Sequence, residues 1–94
     1  MARRKNTDFM IAFVKEFTNG SMSRADFELD YDGYVIDKFP GMEKEAPSFA
    51  ERFAATVDTS VDFARRRQRS DDEFRDIIAD SLSDLLDDSG TDLL

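Results

Sequence analysis

The chain of 94 residues contains no cysteine, no histidine and no tryptophan, and only two prolines and four glycines. Without cysteine there is no disulfide framework, no thiolate nucleophile and no thiolate metal site. Without histidine the commonest general base and the commonest transition-metal ligand are missing as well. No glycine-rich phosphate loop and no nucleophile elbow occurs. Carboxylates remain as acid–base groups, but they serve that role only where different environments push their pKa values apart. Most acids here fall on the solvated faces of expected helices, so a non-enzymatic protein without a cofactor is expected. Long apolar runs are missing too, and no stretch approaches the ~20 apolar residues that span a bilayer. Basic Met1–Lys5 precedes an apolar run, Phe9–Val14, that stops after six residues at Lys15 and Glu16. A signal peptide needs roughly 7–15 apolar residues and a small-residue cleavage site, and neither is present. The expectation is a cytoplasmic protein with no membrane partner, for which the sequon Asn19-Gly20-Ser21 has no consequence.

What is present is phenylalanine, nine of them, with two tyrosines. A chain of this length makes one domain and buries roughly 60–65% of its unfolded surface, enough for one modest core. A single helical domain over 1–94 is expected, with 1–6 and 89–94 as flexible termini. The apolar spacing predicts helices over about Asp8–Thr18, Phe49–Arg67 and Asp71–Asp87. In the first, Phe9, Phe13 and Phe17 recur every four residues, Asn6 or Thr7 is placed to cap, and Gly20 to end it in the left-handed conformation. Ser48 with Glu51, and Ser70 with Glu73, have capping-box spacing for the other two, and Ser89-Gly90 offers a stop. Residues 24–39 admit two readings. Alternation of Phe27, Leu29 and Tyr31 before Asp32-Gly33 fits a β-hairpin over 27–38, and hence an α+β fold. A helix from Arg24 to about Phe39, with Ser23 and Asp26 as a capping pair, is preferred because a lone hairpin has no third strand to pair with. Pro40-Gly41 closes the segment in both readings. The fold expected is an all-α, small four-helix bundle of antiparallel neighbours, with Phe9, Phe13, Phe17, Phe49, Phe53, Val57, Phe74, Ile78 and Leu82 in its core.

Charge is distributed unevenly. The net charge is −8. Ser70–Leu94 holds nine acids and one base, whereas Met1–Arg69 holds twelve of each. Within the acidic block Asp72, Asp76, Asp80, Asp84 and Asp88 recur every fourth residue, and so do Phe74, Ile78, Leu82 and Leu86, which describes an amphipathic helix with one anionic face. Asp71, Asp72, Glu73 and Asp76 complement the positive end of a helix dipole, and Arg65-Arg66-Arg67-Gln68-Arg69 complements the negative end of the helix before it. The two blocks are expected to satisfy both helix ends and each other. Asp80, Asp84, Asp87, Asp88 and Asp92 have no such account. Like charges four apart cost about 0.2–0.5 kcal/mol per pair. A basic partner relieves that cost, drawn from Arg3, Arg4 and Lys5, from another copy, or from a different protein.

Three other motifs carry less. Glu28-Leu29-Asp30-Tyr31-Asp32-Gly33 has the opening of a calcium loop, but its twelfth position is Phe39 rather than a bidentate carboxylate. Asn19–Ser23 has the length of a helix-turn-helix turn, but the would-be recognition helix brings Asp26, Glu28 and Asp30 to the groove. Direct nucleic-acid binding through Met1–Lys5 and Arg65–Arg69 ranks lowest, since the overall charge repels phosphate. The expected function is a small acidic non-enzymatic protein-interaction module, using Asp80, Asp84, Asp87 and Asp88 of the last helix to bind a protein with a basic surface or a second copy of itself. The alternative is a nucleic-acid mimic. Residues four apart on a helix lie about 6 Å apart along its axis, close to the spacing of phosphates on a single strand. In charge pattern alone this resembles anti-CRISPR proteins and other phage or mobile-element inhibitors that occupy the basic channel of a nucleic-acid enzyme. Far-UV circular dichroism discriminates the folds: helical minima without a strand component are expected, and a clear strand component selects the hairpin.

Overall fold

The computed structural model describes residues 4–91, with side chains through Asp87. Its regular elements are α1 (Lys5–Thr18), α2 (Arg24–Glu45), α3 (Pro47–Phe53), a π-helical turn (Ala54–Asp58), α4 (Thr59–Arg66) and α5 (Asp71–Thr91). Ala54 and Thr59, at the two junctions of the π turn, both keep right-handed helical angles. α3, the turn and α4 are therefore one continuous rod, and the protein is a small all-α bundle of four helices. No strand occurs among the described residues, so the 27–38 hairpin is not formed. Residues 5, 6 and 89–91 belong to α1 and α5, Arg4 stands at the N-cap of α1, and the rest of the expected flexible termini, 1–3 and 92–94, lies outside the described residues.

Local chemistry sets several corners. α1 ends in a Schellman arrangement: Gly20 has φ 90°, the Ser21 amide donates to the Glu16 carbonyl at 3.0 Å, and the Gly20 amide to Phe17 at 3.2 Å. α2 starts where the Ser23 hydroxyl accepts from the Asp26 amide at 3.1 Å. α5 starts where the Ser70 hydroxyl accepts from the Glu73 amide at 3.3 Å and donates to the Glu73 carboxylate at 3.1 Å. Consecutive helices are antiparallel. Phe17 at the end of α1 stacks on Phe27 near the start of α2, centroids 4.2 Å apart, and both meet Phe74 at the start of α5.

Other ends are decided across the bundle, and there the local expectations fail. Neither Asn6 nor Thr7 caps α1, which begins at Lys5. Glu45 does so from the far end of α2: its carboxylate accepts from the Asn6 amide at 3.0 Å, the Thr7 amide at 2.9 Å and the Asn6 side chain at 2.7 Å. For Glu45 to arrive there, α2 must run past Pro40-Gly41, which does not end it. A helix-interior proline costs about 3 kcal/mol in isolation. The continuation recovers free energy by placing Glu45 against the positive end of α1 and by burying Met42 completely. Gly41 suits the crossing because a Cβ there would overlap the Asn6 amide and lie 3.1 Å from the Asn6 Cβ. The chain breaks instead at Ala46, held extended (φ −153°, ψ 77°) before Pro47. Pro47 occupies the first position of α3, where its missing N–H costs nothing, and Ser48 and Glu51 form no cap. Ser89-Gly90 does not stop α5, which continues to Thr91.

The core holds Phe13, Phe17, Phe49, Phe53, Val57, Phe74, Ile78 and Leu82 as expected. Phe9 is the exception, at 38% exposed, edge-on to Tyr34 with the Lys38 ammonium 4.8 Å from its ring. Four-residue steps overshoot a 3.6-residue turn by about 40° each. The inward row of α1 is therefore Met10, Phe13, Val14 and Phe17, and that of α5 passes from Leu82 to Leu85. Phe27, Tyr31 and Met42 of α2, and Val61 and Ala64 of α4, complete the interior.

Two predictions follow from this packing. Partial burial raises the Glu45 carboxyl's pKa, but hydrogen bonds from the Thr7 and Asn6 amides and the Asn6 side chain outweigh it and bring it from 4.5 down to about 2. A depressed folded-state pKa contributes stability above the unfolded value and loses it on acidification. Glu45→Gln should be less stable than wild type at neutral pH, and urea unfolding should show the gap closing as pH falls from 4.5 towards 2. A gap independent of pH contradicts the charged cap. Among the glycines, an added Cβ at Gly33 meets nothing within 4 Å. Gly33→Ala should therefore stabilise by about 1 kcal/mol through helix propensity, whereas Gly41→Ala should destabilise by displacing Asn6. Equal responses at the two sites would show that α1 and α2 do not depend on the close approach at Gly41.

Candidate functional site

In the acidic block of α5, Asp71, Asp72 and Glu73 are paired, whereas Asp76, Asp80 and Asp84 form no ion pair among the described residues. Asp71 meets Arg24 of α2 at 3.2 Å, Glu73 meets Arg69 at 3.2 Å, and Asp72 meets Arg75 at 3.9 Å. Arg24 and Arg75 do more than neutralise. Arg24 also donates to the Arg69 carbonyl and to Glu28, and lies 4.4 Å over the Phe74 ring. Arg75 donates to the carbonyls of Phe17 at 3.0 Å and Met22 at 3.3 Å, which ties the α1–α2 corner to α5, and lies 5.0 Å over Phe17. Sequence reasoning passes over both arginines. Their signal is position: each stands within a turn or two of a helix start, beside a phenylalanine that the core requires.

Among the described residues, the Arg65–Arg69 cluster pairs with the acids of α5 at Arg69 alone. Arg65 turns to α2, binding Asp32 at 3.1 Å and Glu28 at 3.4 Å, with its guanidinium 5.7 Å over Tyr31. Arg66 pairs with Asp62 at 3.1 Å, and Arg67 lies over the Phe63 ring. The two charge blocks thus sit at adjoining helix ends, but most of their partners come from elsewhere in the bundle.

Asp76, Asp80 and Asp84 are exposed and form no ion pair among the described residues. Asp87 is exposed on the same side of the helix, and the side chain of Asp88 lies outside the described residues. The opposite side carries Phe74, Ile78, Leu82 and Leu85 into the core. Arg4 and Lys5, near the start of α1, do not relieve Asp80 or Asp84: Arg4 lies over the Phe49 ring, Lys5 forms no ion pair among the described residues, and Arg3 is outside them. Asp76, Asp80 and Asp84 therefore keep a like-charge cost that no ion pair among the described residues relieves.

The polar groups of the calcium-loop-like segment and of the π turn are engaged structurally. Glu28–Gly33 lies inside α2, two of its acids bind Arg65, and no cluster of three metal-ligating side chains occurs among the described residues. The π turn brings Asp58 to the Tyr31 hydroxyl, which donates to it at 2.8 Å. Burial, and then the bond to Asp58 and its charge, push the Tyr31 pKa far up, so the phenol stays protonated as a fixed donor.

The divided row makes opposite predictions for its halves. Asp80→Asn with Asp84→Asn should stabilise the fold at low salt by about 0.2–0.5 kcal/mol for each like-charge pair removed, with the gain shrinking as salt screens it. Asp71→Asn should destabilise, since it gives up Arg24 and the positive end of α5. Urea unfolding of the variants measures both, and destabilisation by the Asp80/Asp84 pair of substitutions would mean that these acids serve the fold. The chain matches no protein-family model, and comparison with curated proteins and with solved structures finds no match.

Proposed function

We propose that the protein is a small acidic, non-enzymatic interaction module that docks on a basic protein surface through the second half of α5, at Asp80, Asp84, Asp87 and Asp88. The observation that carries this reading is that, among the described residues, exposed Asp80 and Asp84 form no ion pair, beside Asp71, Asp72 and Glu73, which each have an arginine. The helix dipole disfavours acids in this half, and each neighbour repels the next. A cationic partner converts both costs into orientation and association rate. A different protein is favoured over a second copy because Arg24, Arg65, Arg69 and Arg75 are already engaged inside the bundle.

A second reading has its own support. Asp76, Asp80 and Asp84 stand about 6 Å apart along the helix axis, a spacing suited to imitating a nucleic-acid strand in the basic channel of an enzyme.

Affinity capture from the native cell, comparing wild type with the Asp80→Asn, Asp84→Asn, Asp87→Asn, Asp88→Asn variant, tests the proposal. Wild type should recover basic proteins that the variant loses, with recovery falling steeply as salt rises. Identical recoveries mean that the row is only a solvated surface. A recovered nucleic-acid enzyme whose substrate competes with the module selects the mimic.

A further inference from the structure

The outward side of α2 carries a second surface, independent of α5. Ala25, Leu29, Gly33, Ile36 and Pro40 follow one another at steps of four, four, three and four residues and are all exposed. They form an uncharged stripe about 22 Å long. Leu29 and Ile36 are 79% and 78% exposed, far above the other large apolar side chains. Both sit opposite the buried row of Phe27, Tyr31 and Met42, so they do not belong to the core. Gly33 between them has open space where a Cβ would stand. An exposed mid-helix glycine of this kind weakens the helix by about 1 kcal/mol relative to alanine, and it lets another backbone approach closely.

The charges beside the stripe name its occupant. Asp26, Asp30 and Asp37 lie along the flank towards α1, where Asp30 shares a cleft with Phe9 and Phe13. Asp32 and Glu43 lie along the flank towards the α3–α4 rod, where Asp32 meets Arg65 and Glu43 shares a cleft with Pro47 and Glu51. Asp37 also meets half-buried Lys38 at 3.3 Å, and Lys44, near the end of α2, is the one exposed base on this helix. A second copy is unfavourable in either orientation. Antiparallel pairing of two α2 helices sets Asp26, Asp30 and Asp37 against the same three residues, and parallel pairing sets them against Asp32 and Glu43.

We propose that the α2 stripe docks a basic amphipathic helix of another protein, with apolar side chains on Leu29 and Ile36 and lysines or arginines along both flanks. α1 and the α3–α4 rod pack between α2 and α5 on either side, which leaves the α2 stripe and the α5 acids facing different directions. The module can hold both partners at once.

The test is titration of the full chain with a synthetic leucine–lysine helical peptide, its leucines at helical spacing and its lysines on both flanks, at physiological ionic strength. The control is a scrambled peptide of the same composition. Wild type should bind the patterned peptide and bind the scrambled one roughly tenfold or more weakly. Leu29→Ser with Ile36→Ser should weaken binding by a similar factor while keeping the helical circular-dichroism spectrum, since neither side chain contributes to the core. Asp26→Asn, Asp30→Asn and Asp37→Asn together should weaken binding and flatten its salt dependence. The Asp80→Asn, Asp84→Asn, Asp87→Asn, Asp88→Asn variant should bind as wild type does, which separates this surface from the α5 site. Unchanged binding by the Leu29/Ile36 variant, or loss of binding in the α5 variant, overturns the proposal. So does sedimentation of wild type as a dimer that Leu29→Ser and Ile36→Ser dissociate, because a second copy would then be the occupant.

Discussion

Arg24 stands where three parts of the bundle meet. Its guanidinium covers Phe74, binds Glu28 on its own helix, holds the carbonyl of Arg69 in the turn before α5 and pairs with Asp71 at the start of α5. Arg75 answers it from α5, covering Phe17 and holding two carbonyls of the α1–α2 corner. Between them lies the stack of Phe17, Phe27 and Phe74 that joins α1, α2 and α5. A bundle this small has little apolar area to bury. Arginine extends that area by laying its stem and planar group over aromatic rings while satisfying helix-end carbonyls. The rest of the charge distribution follows from this use of arginine.

A chain with 13 bases and 21 acids that turns arginines towards its aromatic core and helix ends presents acids outward. The outward acids are not spread evenly. They line the second half of α5 and both flanks of the exposed stripe on α2. On α5, Asp80 and Asp84 form no ion pair among the described residues, and on α2 the acids border two large apolar side chains. Those arrangements suit two kinds of basic partner: a charged surface for α5, and an amphipathic helix for α2. Neither set of acids contributes a side chain to the apolar core.

Features decided within a few residues were legible in the sequence. Gly20 as a left-handed stop, Ser23 and Ser70 as caps, and the inward Phe13, Phe17, Phe53 and Phe74 need only local spacing and chemistry. Features decided across the bundle were not. Pro40-Gly41 has the local signature of a stop, but Glu45 of the same helix caps α1 some 39 residues away in sequence, and that contact keeps the helix running. Phe9 belongs to a four-residue row whose drift carries it out of the core. The π turn was hidden because one extra residue leaves the apolar spacing of Phe53, Val57 and Val61 unaltered. The division of the acidic row was legible from helix-end electrostatics, although the arginines that neutralise its first half come mainly from α2 and α5 rather than from the Arg65–Arg69 cluster. The α2 stripe was masked by its own ambiguity, since Phe27, Leu29 and Tyr31 alternate as in a strand, and only the helix sends Leu29 outward.

The central claim is that the outward acids exceed what folding uses. The salt dependence of wild-type stability tests it most directly, by urea unfolding from low salt to physiological ionic strength. Screening weakens exposed repulsion while leaving the partly buried hydrogen bonds of Arg24 and Arg75 to backbone carbonyls largely intact. Stability should therefore rise with salt. A stability that falls with salt would show that attractive pairs dominate the surface, and that the acids of α5 and α2 belong to the fold.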